Sequence, residues 1–150
     1  MAETRNTACA LTPESVAGFL LRLALGVLFL IAAVNKFAGP GPSGFAVWIL
    51  DEFEGTYIPR ILVIPYAYTL PYIEFLLGLV LILGVFTKTA LTVAGLLLVS
   101  LAFGKMVQQD HATVANNLNY VLMAAVALWF AGKDNALSLD RLLVGHRQSE

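Results

Sequence analysis

Charge is scarce in this chain. Only 13% of its 150 residues are Asp, Glu, Lys or Arg, against roughly 25% in an ordinary soluble domain. Meanwhile 59% are hydrophobic and the mean hydropathy is +0.79. Nine basic and ten acidic side chains cannot clothe a 16.2 kDa globule in water, so a soluble fold is nearly excluded. The formal net charge of −1 removes nucleic acid as a partner, because phosphate binding needs a clustered basic face. Cysteine is almost missing. Cys9 stands alone, which forbids an internal disulfide, a CxxC redox pair and a thiolate metal cage. His111 and His146 have no companions at ligand spacing, so no metal or haem is expected. No GxSxG provides a nucleophile elbow.

What the chain does have is long apolar runs. A helix needs roughly 20 apolar residues to cross about 30 Å of hydrocarbon, and four stretches approach that length. They run from about Val16 to Phe37, Leu70 to Phe86, Thr89 to Phe103 and Asn116 to Ala131. The last three are short and must borrow polar flanking residues. No period-two alternation suggests a barrel, and an open sheet does not survive in lipid. The fold expected is all-α: a polytopic membrane four-helix bundle, with a short interfacial helix in the first outer loop. The first run exceeds a signal-peptide core and no small-residue cleavage motif follows it, so it is read as retained. The division is then an N-terminal cytoplasmic segment (1–15), a four-helix transmembrane domain (16–131) and an amphipathic cytoplasmic tail (132–150).

Four spans place both termini on one side. That side carries Arg5, Lys88, Lys133, Arg141 and Arg147, against Lys36, Arg60 and Lys105 on the other. The excess of positives puts the termini in the cytoplasm and turns the long first loop, about Ala38 to Thr69, outward. GPGPSG (Gly39–Gly44) lacks a preceding strand and reads as a tight exit from the first helix rather than a phosphate cradle. FAVWILDEF mixes aromatic and acidic residues as an interfacial helix does, with Trp48 at headgroup depth. Pro65 and Pro71 predict a broken start to the second span, with Tyr66, Tyr68 and Tyr72 at the membrane boundary.

Ionisable residues inside a span cost about 2.5–3.5 kcal/mol on insertion scales and must find partners or a cavity. Arg22 lies about 9 Å inside the first span, and Glu74 a similar depth from the outer end of the second. On helical phase Lys36 returns to within about 40° of Arg22, with Gly26, Phe29 and Ala33 between them. Gly78 leaves a notch one turn from Glu74. Asn116, Asn119, Tyr120 and Met123 form a comparable stripe on the fourth span, and Lys105 closes the third. By depth, Lys36 or Lys105 is better placed than Arg22 to pair with Glu74. A faint internal echo sets LGVFTK against LWFAGK and Glu74 opposite Asn119, hinting at two related hairpins.

Two readings of this cluster stay open. In one, the lysines and asparagines cap helix ends and Glu74 is locked in an ion pair that fixes helix register. In the other, Glu74, a lysine and the amides line a small polar pocket able to hydrogen-bond a quinone carbonyl or hold a small anion.

The segments RLALGVLFLIAAVNKF (Arg22–Phe37) and PYIEFLLGLVLILGVFTKTA (Pro71–Ala90) resemble the DoxX family of small four-helix bacterial membrane proteins. That family includes the DoxD subunit of thiosulfate:quinone oxidoreductase. The resemblance implies a bacterial cytoplasmic (inner) membrane protein linked to quinone-coupled sulfur oxidation, amine-dehydrogenase maturation or complexes assisting oxidative-stress enzymes. Quinone is then the expected ligand, and other membrane-complex subunits or a soluble redox partner are the expected associates. Glu74 would accept or relay a proton as the catalytic residue. The ligand-binding residues would be Arg22, Lys36, Lys105, Asn116, Asn119, Tyr120 and Tyr72, with Lys36 or Lys105 polarising a quinone oxygen and Arg22 holding the helices together. The alternative is a non-catalytic accessory or assembly subunit. For it, the small-residue stripes Gly18, Gly26, Gly78, Gly84 and Gly95 serve helix–helix contact.

Overall fold

The computed structural model describes residues 12–133. Most of the tail expected over 132–150 and most of segment 1–15, with Cys9 and His146, lie outside them; residues 132 and 133 end the last helix. The described residues form five helices and no strand: α1 (Pro13–Ala38), α2 (Gly41–Glu52), α3 (Arg60–Leu83), α4 (Thr87–Val107) and α5 (His111–Lys133). Four of these, all but α2, are long and apolar enough to cross a membrane. The chain is a multi-pass helical membrane protein.

Local chemistry sets the helix ends. The Thr12 hydroxyl accepts the Ser15 N–H at 3.2 Å and Pro13 opens the first turn of α1. Gly39–Pro40–Gly41 makes the tight exit into α2, with Gly41 at φ +70° where a side chain is disfavoured. α2 turns Phe45, Ala46 and Ile49 inward onto α3 and leaves Val47 and Trp48 exposed. Gly84, left-handed at φ +70°, ends α3 by donating its N–H to the Val80 carbonyl.

The second span differs from expectation. α3 begins at Arg60, ten residues before the expected Leu70, and runs unbroken through Pro65 and Pro71. Each proline deprives one carbonyl of its N–H partner, but lipid offers nothing to replace an opened turn, so the helix continues. The carbonyls left without an N–H are those of Ile61 and Ala67; the Thr69 hydroxyl, between the prolines, donates back to the Pro65 carbonyl at 2.7 Å, with the Tyr66 carbonyl at 3.3 Å. In consequence Glu74 sits about 21 Å along α3 rather than one turn or two from its start.

Around the bundle the order is α3, α1, α5, α4. α1 packs on α3 and α5, and α4 packs on α5, but the consecutive helices α3 and α4 touch little. The close contacts use small residues, as van der Waals packing in lipid favours. Gly26 and Gly78 bring α1 and α3 nearly backbone to backbone: a Cβ on Gly78 would lie 2.7 Å from the Leu30 nitrogen. Gly18 receives Phe130 of α5, and Gly95 of α4 faces Ala124. Outward faces carry the large apolar side chains, such as Leu96, Leu122 and Trp129.

Gly78→Ala is therefore expected to destabilise the bundle by about 1–3 kcal/mol through overpacking. Gly132→Ala, which meets nothing within 4 Å, is expected to leave it unchanged or slightly firmer. Unfolding titrations in mixed micelles compare the two.

Candidate functional site

Lys36, in the last turn of α1, reaches the middle of α3. Its ammonium donates to Glu74 Oε2 at 2.6 Å, with side chains 19% and 3% exposed. The Ala32 carbonyl lies 3.5 Å from the same nitrogen, and the Phe45 ring of α2 covers it at 5.1 Å. Three elements thus enclose one ion pair. Gly78 allows the approach, since any side chain there would push α1 away. Of the two lysines suited by depth, Lys36 holds the carboxylate.

Arg22 lies elsewhere, at the opposite end of the bundle. It is 3% exposed, with Nη1 3.4 Å from the Thr87 hydroxyl and the guanidinium 5.5 Å from the Phe19 ring centre. A side chain at Gly84 would collide with it. Arg22 therefore reaches from α1 to the α3–α4 turn, well apart from Glu74.

Lys105, at the end of α4, donates to the Gln108 side chain at 2.6 Å and lies 3.7 Å from Glu52 and 3.9 Å from Asp110. The Trp48 ring is 5.7 Å away. Asp110 caps α5 by accepting the Thr113 N–H at 3.1 Å. Hydrogen bonds from Thr113, helped by the charges of Lys105 and His111, hold the Asp110 carboxyl below the usual aspartate range.

A cavity of about 200 Å³ joins these parts. Lys36, Glu74 and Lys105 line it, together with Tyr66, Ser100 and Asn117. Tyr66 and Ser100 meet at 2.9 Å, spanning α3 to α4. Other site candidates stand apart: Asn116, Asn119 and Tyr72 are exposed, and Tyr72 packs its edge on Phe37 with ring centres 5.2 Å apart. Tyr120 is half-buried against the core without lining this cavity. Asn119 does not share the burial of Glu74, so the hairpin echo does not extend to equivalent polar positions. Tyr66, Ser100 and Asn117 are the residues that sequence reasoning passed over. Tyr66 had a signal, since a phenol deep in an apolar run needs a polar partner. Among the described residues no three His, Cys, Asp or Glu side chains gather as a metal requires.

A family model described as methylamine utilisation protein MauE matches residues 14–110. The chain belongs to the MauE family. This corrects the resemblance to DoxX: the features behind it, an arginine and lysine in one apolar helix and a glutamate followed by glycines in another, are what a buried ion pair between close-packed membrane helices demands. They do not single out a family. No curated protein and no solved structure matches the chain. The MauE match takes in α1 to α4, including both members of the ion pair.

In this MauE-family bundle Lys36→Met is expected to cost about 3–5 kcal/mol, because it strands a buried carboxylate. Adding Glu74→Met should recover most of that loss in a double-mutant cycle read by unfolding in mixed micelles. For Asp110, a depressed folded pKa means the cap stabilises α5 above the unfolded value and is lost as pH falls through the folded one. Acidification below about pH 4 should lower the amide-exchange protection factors of Thr113 and Val114, each taken against the unstructured rate at the same pH, and Asp110→Asn should flatten that response relative to the parent chain.

Proposed function

We propose that this MauE-family chain is a membrane accessory component that assists assembly or maturation of the amine-oxidising electron-transfer system to which the family description points. It sits in the bacterial inner membrane with both termini in the cytoplasm. The observation that carries this reading is the family match over residues 14–110, within which the enclosed Lys36–Glu74 pair lies. The chain's composition supports it. A single cysteine offers no dithiol to carry electrons, so electrons come from a bound substrate or a partner, while this chain contributes a helical surface. The lysine and arginine distribution supports the orientation. That orientation places α2 and the Lys36–Glu74 end outward, on the side where an exported enzyme would be completed. Other subunits of that system and a soluble redox protein are the partners expected on this reading.

A second reading, in which the chain is instead a quinone-interacting subunit of that system, is favoured by the cavity between Lys36, Glu74, Lys105 and Tyr66. There the lysine-paired carboxylate would handle a proton while Lys36 or Lys105 faced a quinone oxygen. The thiosulfate connection falls with the DoxX resemblance.

One experiment separates the two. Delete the coding sequence in its host, supply methylamine as the oxidisable substrate, and examine the amine-oxidising enzyme. The accessory reading expects enzyme that is absent or immature, restored by the parent chain. Fully mature enzyme that merely fails to reduce the membrane quinone pool would refute the accessory reading and support the second.

A further inference from the structure

The weakest seam in the bundle is the one between its consecutive helices. α3 and α4 are joined by a short turn at Gly84–Phe86, yet they touch little along their length. Two cavities occupy that seam. One is the polar cavity of about 200 Å³ already described. The other, of about 210 Å³, is walled by Leu62, Val63, Ile58 and Phe103. They share Phe53, Tyr66, Ser100 and Gly104, so the Tyr66–Ser100 hydrogen bond lies at their common wall. The second cavity adjoins the lipid-facing surface, where Leu62 is 63% and Phe103 53% exposed.

Charge within the polar cavity is already balanced. Lys36 is held by Glu74, and Lys105 by Gln108 with Glu52 and Asp110 nearby. An ionic ligand would enter a space with no spare countercharge, and burying an unmatched charge is costly. Hydrogen-bonding side chains line the space: Ser100 donates to the Leu97 carbonyl at 2.7 Å and so accepts from Tyr66, leaving both hydroxyls oxygen lone pairs, while Asn117 and Thr113 add an amide and a hydroxyl to the lining. A void of roughly 150 Å³ accepts a benzene ring, so this cavity accommodates a six-membered ring with small substituents.

Resting on the second reading of the cavity as a ligand site, we infer that the α3–α4 crevice binds a lipid-phase amphiphile. Its head is uncharged, ring-sized and bears oxygen acceptors or donors; its single apolar tail leaves through the outer cavity. The head occupies the polar chamber beside Lys36–Glu74. The tail passes Tyr66, Ser100 and Gly104 and lies against Leu62 and Phe103, so the ligand arrives sideways from the bilayer rather than from water.

The chain's two tryptophans make this testable. Trp48 stands beside Lys105 at the polar chamber, whereas Trp129 lies about 18 Å further along α5 than the cavity residue Asn117. A benzoquinone with a ten-carbon tail, which quenches tryptophan, is titrated into phosphatidylcholine nanodiscs holding the Trp129→Phe or the Trp48→Phe protein. The expected result is saturable quenching of Trp48 and linear quenching of Trp129. Ser100→Leu, or the milder Ser100→Val if leucine prevents folding, should raise half-saturation at least tenfold, measured below the thermal transition, which loss of the Tyr66 partner lowers. Decanoate and decylamine should displace the quinone at least tenfold less well than the matching uncharged quinol. Linear quenching of both tryptophans overturns the inference and the quinone reading together. Saturable quenching that either Ser100 variant leaves unaltered overturns the crevice route but spares the quinone reading. Equal displacement by decanoate overturns the uncharged head.

Discussion

A single ion pair inside a low-dielectric bundle constrains most of this structure. Glu74 is 3% exposed, and a carboxylate in that position is tolerable only with a cation held firmly against it. Several features follow from that need. Lys36 has to stand in the last turn of α1 on the face that meets α3. Gly26 and Gly78 have to be small so that the helices approach. α2 has to fold back over the pair, where Phe45 closes the ammonium from above. The tight Gly39–Pro40–Gly41 exit is what turns α2 in that direction.

The same arrangement concentrates polarity at one end of the bundle and leaves the rest apolar. Lys105 reproduces the pattern more loosely, with Glu52 and Asp110 at 3.7 and 3.9 Å and half-exposed. One pair is enclosed and fixes helix register; the other is wetter and joins the ends of α2, α4 and α5. Membership of the MauE family accords with a protein whose conspicuous polar chemistry is directed at shape.

Much of this was legible in the sequence because lipid imposes simple rules. Hydropathy located four spans, and depth arithmetic together with helical phase brought Lys36 toward Glu74 and put Gly26, Phe29 and Ala33 on the inward stripe of α1. The beginning of α3 was not legible, because Pro65 and Pro71 read as breakers, whereas a bilayer holds such turns together. The polar face of α5 was misplaced by one position. The stripe through Asn116, Asn119 and Tyr120 looked inward, yet Ala124, Ala127 and Ala131 mark the packed side. On α5 the small residues lie between helices and large apolar ones such as Leu122 and Trp129 outside, so there size rather than hydrophobicity marks the buried face. The family was misread for a related reason: its recognisable residues are those that any close-packed, charge-bearing helix pair requires.

Arg22 has an architectural effect that reaches beyond its own surroundings. By gripping the turn that links α3 to α4, it pins together the ends of two helices that otherwise scarcely cohere. The seam between α3 and α4 is thereby fastened near both ends, by Arg22 at the connecting turn and by the Tyr66–Ser100 hydrogen bond toward the other. Prising these two helices apart therefore means breaking a sheltered polar contact at one end or the other, although little apolar packing lies between them.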